Sequence, residues 1–185
     1  MVLTSSTMFP LQQKASNFSL FEPLSKTTKT LEDCRGQHGT VVMFICNHCP
    51  FVVHVLSGIV AMANDYLPQG IGFAAISSND ILSHPQDAPE KMADLAREQH
   101  FPFVYLYDES QEVAKRYDAA CTPDFYLFDA ALRCVYRGQM DSARPGNNLP
   151  VTGEDLRVAM DNLLDGQPIS TEQQPSMGCN IKWRT

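Results

Sequence analysis

The sequence predicts an α/β fold, a mixed central sheet with helices on both faces, and three observations lead there. Two short runs, TVVMFIC at Thr40–Cys46 and GIGFAAISS at Gly70–Ser78, are apolar almost throughout. That is how strands buried on both faces of a sheet read. Helical spacing fills the stretch between them, with Val52, Leu56, Ile59, Val60, Ala63 and Leu67 on one face and Pro68–Gly70 as the stop. Further on, DFYLFDA and RCVYRGQ, joined at DAAL, form an antiparallel pair. Strand–helix alternation followed by a hairpin gives a sheet with both parallel and antiparallel neighbours.

The remaining elements follow in chain order. NFSLFEP, from Asn17, alternates apolar and polar residues and is a short strand ended by Pro23. TTKTLEDCRGQHGT is a second short strand running into a polar loop with Gly36 and Gly39. Asp87–His100 is a helix that tolerates Pro89 in its first turn. FPFVYLYD is a third strand of the buried type, and SQEVAKRYDA a short helix. Thr152–Leu164 is the last amphipathic helix. Phe101, Phe103, Phe125, Tyr126 and Phe128 are core residues.

At 185 residues with 44% hydrophobic content, the chain has the size and apolar content of one domain with a real core. The domain spans 1–185, with 1–16 as an N-terminal segment carrying a strand extension and 166–185 as a C-terminal tail. Lys and Arg total 14 against 21 Asp and Glu, a net charge of −7, with no basic run. This argues against nucleic acid or an anionic membrane surface as partner. The first residues lack the pattern of a signal peptide, and no stretch approaches the roughly 20 apolar residues of a membrane helix. The expected location is the cytoplasm. Six cysteines, Cys34, Cys46, Cys49, Cys121, Cys134 and Cys179, are then expected reduced, most of them packing as small hydrophobes.

The chemistry concentrates in VVMFICNHCPFVVHVL, Val41–Leu56. Cys46 ends a buried strand and Cys49 opens the helix beyond it. A helix N-terminus carries about half a positive charge and unpaired N–H groups, which favour thiolate over thiol. The expectation is that Cys46 is the low-pKa attacking thiol and Cys49 the quieter resolving one, one helical turn away. A protonated His48 between them would stabilise the thiolate further. A zinc site would need four ligands, and no second CxxC or HxxxH pair is present.

ACTPDFYLFD sets Thr122-Pro123 before a strand, downstream of the strand–CxxC–helix unit. With FSL, TLED, VVMFICNHCPFV, CTPDFYLFD, YRGQMDSARPGN and GCNIKW, the chain resembles the thioredoxin superfamily, and within it the peroxiredoxin-like branch of alkyl hydroperoxide reductase and thiol-specific antioxidant proteins. The resemblance implies a thioredoxin-like fold, with Cys46 as attacking and Cys49 as resolving cysteine. It also implies a cis Pro123, with the backbone of Thr122 pairing with substrate. Thioredoxin-type dithiols usually hold Gly-Pro where this chain holds Asn47-His48. The Pro-x3-Thr-x2-Cys pattern of peroxiredoxins is absent in either frame, Val42 and Cys46 before Cys49 or Gly39 and Met43 before Cys46.

The expected function is a thiol–disulfide oxidoreductase that needs no bound cofactor. Its substrates are protein or small-molecule disulfides, or peroxides, and its electrons come from a dithiol protein or a small thiol. The alternatives are a thiol peroxidase using the same residues and a non-enzymatic metal-handling or redox-sensing module in which Cys46, Cys49 and His48 hold copper or zinc. Arg144 is read as a surface salt-bridge residue. The tail is expected to fold back because Ile181 and Trp183 are costly to leave in water. From Asp165 to Cys179 is 14 residues. That is a reach of roughly 45 Å against a domain width of ~32 Å. Cys179 is therefore a third redox thiol within reach of the face bearing Cys46 and Cys121, or a packing residue beneath a Trp183 that plugs a groove.

Overall fold

The computed structural model describes residues 3–184; Met1, Val2 and Thr185 lie outside the description. Strands β1 (Leu3–Ser5), β2 (Ser19–Glu22) and β3 (Thr27–Thr30) come first, followed by helix α1 (Leu31–Cys34), β4 (Gly39–Phe44) and α2 (Pro50–Tyr66). Then come β5 (Ile71–Ser77), α3 (Pro89–Glu98), β6 (Val104–Tyr107), α4 (Glu112–Arg116), β7 (Cys121–Thr122), β8 (Asp124–Asp129), β9 (Cys134–Gly138), α5 (Glu154–Leu164) and β10 (Met177–Asn180). A seven-stranded sheet runs in the order β3-β2-β6-β5-β4-β8-β9. The β4–β5 and β5–β6 pairs are parallel, and the others are antiparallel.

Every residue of β4 and β5 is buried, as their composition requires of central strands. Alternation along β4 divides the core. Val41 and Met43 face a cluster with Ile59 of α2, Met92 of α3 and Leu156 of α5; Val42 and Phe44 face one with Leu31 of α1, Val113 of α4 and the aromatic group Phe9, Tyr117, Tyr126 and Phe128.

Four local readings are revised. Leu31–Cys34 is a helical turn rather than a continuing strand. The Thr30 side chain accepts the Asp33 N–H while Asp33 accepts the Thr30 N–H, a capping box that overrides β-propensity. β4 ends at Phe44, so Cys46 lies past the strand. Asp87 precedes the third helix instead of opening it, in a 3-10 turn, fully buried. Finally, Pro50–Gln69 is long and apolar enough to cross a membrane by composition, contrary to the sequence reading. Val52, Leu56, Ile59, Met62 and Ala63 of this helix pack into the core.

The tail lies on the domain as a strand. β10 pairs antiparallel with β7 on one side and β1 on the other, with Cys179 opposite Thr122 and Leu3. Ile181 is 1% exposed, while Trp183 is 40% exposed. The apolar signal of the tail belongs to Cys179 and Ile181; the indole lies beyond the last anchored strand residue.

Candidate active site

Cys49 is the N-cap residue of α2, with Pro50 at the first helical position. Pro suits that position because its missing N–H would be unpaired there anyway. Cys46 lies three residues earlier in the link from β4. The Thr122–Pro123 peptide is cis. The Cys46 sulfur is 3.4 Å from Thr122 Oγ1, and the Cys49 sulfur is 3.3 Å from the Thr122 carbonyl oxygen. Cys46 is 1% exposed and Cys49 0%.

The two sulfurs ionise unlike each other, and in the opposite order to the sequence expectation. The Cys49 pKa is lowered to about 5, first because the Cys46 thiol hydrogen-bonds to its thiolate; the Cys179 thiol and the backbone amides of Val52 and Cys179 add to this against the opposing effect of burial. Cys46 is pushed well above the usual thiol range, first by serving as that donor, then by burial and by the negative charge of Asp87. The physical reason is where the helix starts. With α2 beginning at Pro50, its N-terminal field and free N–H groups bear on Cys49.

Asp87 is the residue that sequence reasoning missed. Its buried carboxylate accepts the Asn47 backbone N–H at 2.8 Å and the Asn79 side-chain amide at 2.7 Å. His48 Nδ1 lies 2.8 Å from the same carboxylate. Tyr105 in β6 donates to Asn47 Oδ1 at 2.9 Å, so both residues between the cysteines are fastened. The His48 ring stacks on His84, centroids 5.3 Å apart, a partner that the sequence did not reveal. In the sequence Asp87 looks like an ordinary acidic residue at a helix entrance; its spacing from the CxxC carries no signal.

Ligand atoms of Cys46, His48 and Asp87 lie within 4.8 Å of one another. Cys49, expected to join Cys46 and His48 in the metal reading, is not part of this group and lies against the Thr122 carbonyl. Asp87 already accepts two hydrogen bonds and lies 2.8 Å from His48 Nδ1, so this cluster is built as a polar network around the loop. Arg144, expected in a surface ion pair, forms none among the described residues. It donates to the Asp141 and Ala143 carbonyls at 2.7 Å and lines a cleft with Phe51, Pro123 and Met177. Cys34 and Cys134 are buried in the second core cluster, Cys121 is buried next to Thr122, and burial raises the pKa of each.

The AhpC/TSA family model matches residues 11–137, which include the dithiol, the cis proline and the central strands. The chain belongs to the AhpC/TSA family. No curated protein matches it. An uncharacterised conserved protein from Geobacillus kaustophilus superposes with a TM-score of 0.98 at 55% identity, over 100% of this chain and 97% of that one. A hypothetical protein from Sinorhizobium meliloti 1021 gives 0.96 at 43% identity, over 98% and 99%. Peroxidoxin BcpB from Mycobacterium tuberculosis shares the fold, with a TM-score of 0.60 at 13% identity over 85% and 95%. The fold of this AhpC/TSA member is thioredoxin-like, a mixed sheet with helices on both sides.

Proposed function

We propose that this AhpC/TSA protein is a cytoplasmic thiol–disulfide oxidoreductase working through Cys46 and Cys49, with Cys49 as the reacting sulfur. The observation that supports this most is the placement of the pair: Cys49 caps α2, and both sulfurs lie against Thr122 next to the cis Pro123. Thiolate is the attacking form in disulfide exchange. Cys49 thiolate attacks one sulfur of a substrate disulfide and releases the first thiolate. Cys46 then gives up its proton and attacks Cys49, forming the Cys46–Cys49 disulfide and releasing the second. A dithiol protein or small thiol restores the reduced pair. With both sulfurs at 0–1% exposure, small disulfides fit this site better than protein disulfides. His48, held by Asp87, orders the loop carrying Cys46.

The test is steady-state reduction of hydroxyethyl disulfide with dithiothreitol as electron donor. Turnover that disappears in Cys49→Ser, with the substrate thiol captured first on Cys49 and not on Cys46, is the expected result. Undiminished turnover in Cys49→Ser would refute the assignment. Burial also favours a second reading, a thiol peroxidase, because a peroxide needs less room than a disulfide. Cys49 would become a sulfenic acid, and Cys46 would displace water from it. Peroxide consumption faster than disulfide reduction by the same preparation selects that reading.

A further inference from the structure

Cys49 has a second sulfur neighbour. β10 sets Cys179 opposite Thr122, whose carbonyl oxygen lies 3.3 Å from the Cys49 sulfur, and Cys179 packs in the same core cluster as both motif cysteines, with the Phe51 N–H in the first turn of α2 close to it. The motif cysteine and the tail cysteine therefore share one helix N-terminus. Cys179 is 2% exposed and held in place. β10 is paired on both edges, and Gly178 packs so tightly that a Cβ there would sit 2.0 Å from the Thr122 carbonyl oxygen. Ser176 Oγ donates to the Gly138 carbonyl at 2.7 Å, and the Lys182 N–H to Asn79 Oδ1 at 2.8 Å, fastening the strand before and after Cys179.

The charges near the two flanking thiols differ in sign. Asp87 acts on Cys46, opposing its ionisation; Lys182 acts on Cys179, favouring it. A thiol must become thiolate to attack Cys49, and burial opposes that for both. Each has one neighbour that helps, the Thr122 hydroxyl for Cys46 and the Lys182 charge for Cys179, but only Cys46 also faces a carboxylate.

We propose that Cys179 is a second resolving thiol for Cys49, so that oxidation of this protein yields a Cys49–Cys179 disulfide beside or ahead of Cys46–Cys49. This rests on the reading of Cys49 as the reacting sulfur. With a small disulfide RSSR as oxidant, Cys49 thiolate forms Cys49–SR, the RS–SR bond breaks, and RS⁻ leaves with the proton of Cys179. Cys179 thiolate then attacks the Cys49 sulfur. The Cys49–Cys179 bond forms, the Cys49–SR bond breaks, and the second RS⁻ takes a proton from solvent. Two electrons pass from the protein sulfurs to RSSR, which leaves as two thiols. Attack of Cys46 on Cys49 then moves the bond to Cys46–Cys49 and returns Cys179 to the thiol, with no net oxidation.

The experiment treats the full reduced chain, as Cys46→Ser and as Cys46→Ala, with hydroxyethyl disulfide, followed by acid quench and non-reducing peptide mapping. The expected result is a Cys49–Cys179 disulfide with two small thiols released per chain. The Cys46→Ser, Cys179→Ser double variant should stop at one, with a mixed disulfide left on Cys49. A mixed disulfide that persists on Cys49 in both single variants, with Cys179 still alkylatable after denaturation, overturns the proposal and leaves the parent reading standing. No adduct on Cys49 in any variant overturns the parent reading and the proposal together.

Discussion

Cys49 and Cys134 are equally buried, each 0% exposed, and ionise in opposite directions. Cys134 sits in β9 within the second core cluster, and burial pushes its pKa up to about 12; the nearby Arg137 charge offsets this only in part. Cys34 in α1 behaves the same way, raised to about 12 by burial first. Cys49 descends to about 5 because two thiols and backbone amides point at it from the N-terminus of α2 and from β10. Loss of water opposes the thiolate at each of these sites. Fixed donors decide which buried thiol is a nucleophile and which is inert packing.

The comparison breaks most severely at Cys49 itself. Cys49→Ser should lower disulfide turnover on the order of a thousandfold, whereas Cys134→Ala should leave it unchanged within about twofold. Equal losses in the two variants, measured under saturating thiol, would dissolve the distinction. Next is Asp87→Asn. It removes the carboxylate that Asn47, Asn79 and His48 share, and should destabilise the protein by about 3 kcal/mol in urea. It should also bring the Cys46 pKa down toward the usual range, read by ultraviolet thiolate absorbance. A destabilised variant with an unmoved Cys46 titration would deny Asp87 its electrostatic part.

The third prediction uses pH. The folded pKa of Cys49 is about 5, and its unfolded value is near ~8.5. Between the two, the unfolded chain binds the proton and the folded chain does not, so stability rises with pH. The contribution is complete above the unfolded value and disappears as pH falls through the folded one. The stability gap between reduced wild type and Cys49→Ser should therefore grow by on the order of 3 kcal/mol from pH 5 to 8. A gap that stays flat across this range contradicts the lowered pKa.

Gly178→Ala sharpens the same comparison from the side of β10. Its Cβ must push the strand off the Thr122 carbonyl, costing about 2 kcal/mol by thermal unfolding and raising the Cys49 pKa as Cys179 retreats. The smallest effect belongs to a site remote from both cysteines. Thr30→Ala removes the α1 capping box and should cost ~1 kcal/mol with turnover intact.

The central strands and long helices were legible because β4 and β5 are short runs apolar almost throughout and α2 carries a 3.6 period, patterns that burial enforces. The CxxC, Thr122 and Pro123 were legible as local motifs. Two things were not. Leu31–Cys34 was lost to a reciprocal cap that depends on Thr30 and Asp33 together. The identity of the favoured thiolate depended on the negative charge of Asp87 and on the thiol of Cys179, 38 and 130 residues from Cys49. Pattern reading sees neighbours along the chain, and these neighbours are made by the β5-to-α3 connection and by the β7–β10 pairing.

The small sheet β1-β10-β7 also has a bearing on synthesis. Leu3 lies opposite Cys179, so the pairing that seats Cys179 joins positions 176 residues apart. Such contacts form late because they close the longest loops. The N-terminal parts of a nascent chain emerge first. Cys46 and Cys49 therefore leave the ribosome more than a hundred residues ahead of the strand that supplies Cys179. For that interval their thiols lack both the cover and the second donor, and the chain is vulnerable to oxidation in a form its finished fold no longer has.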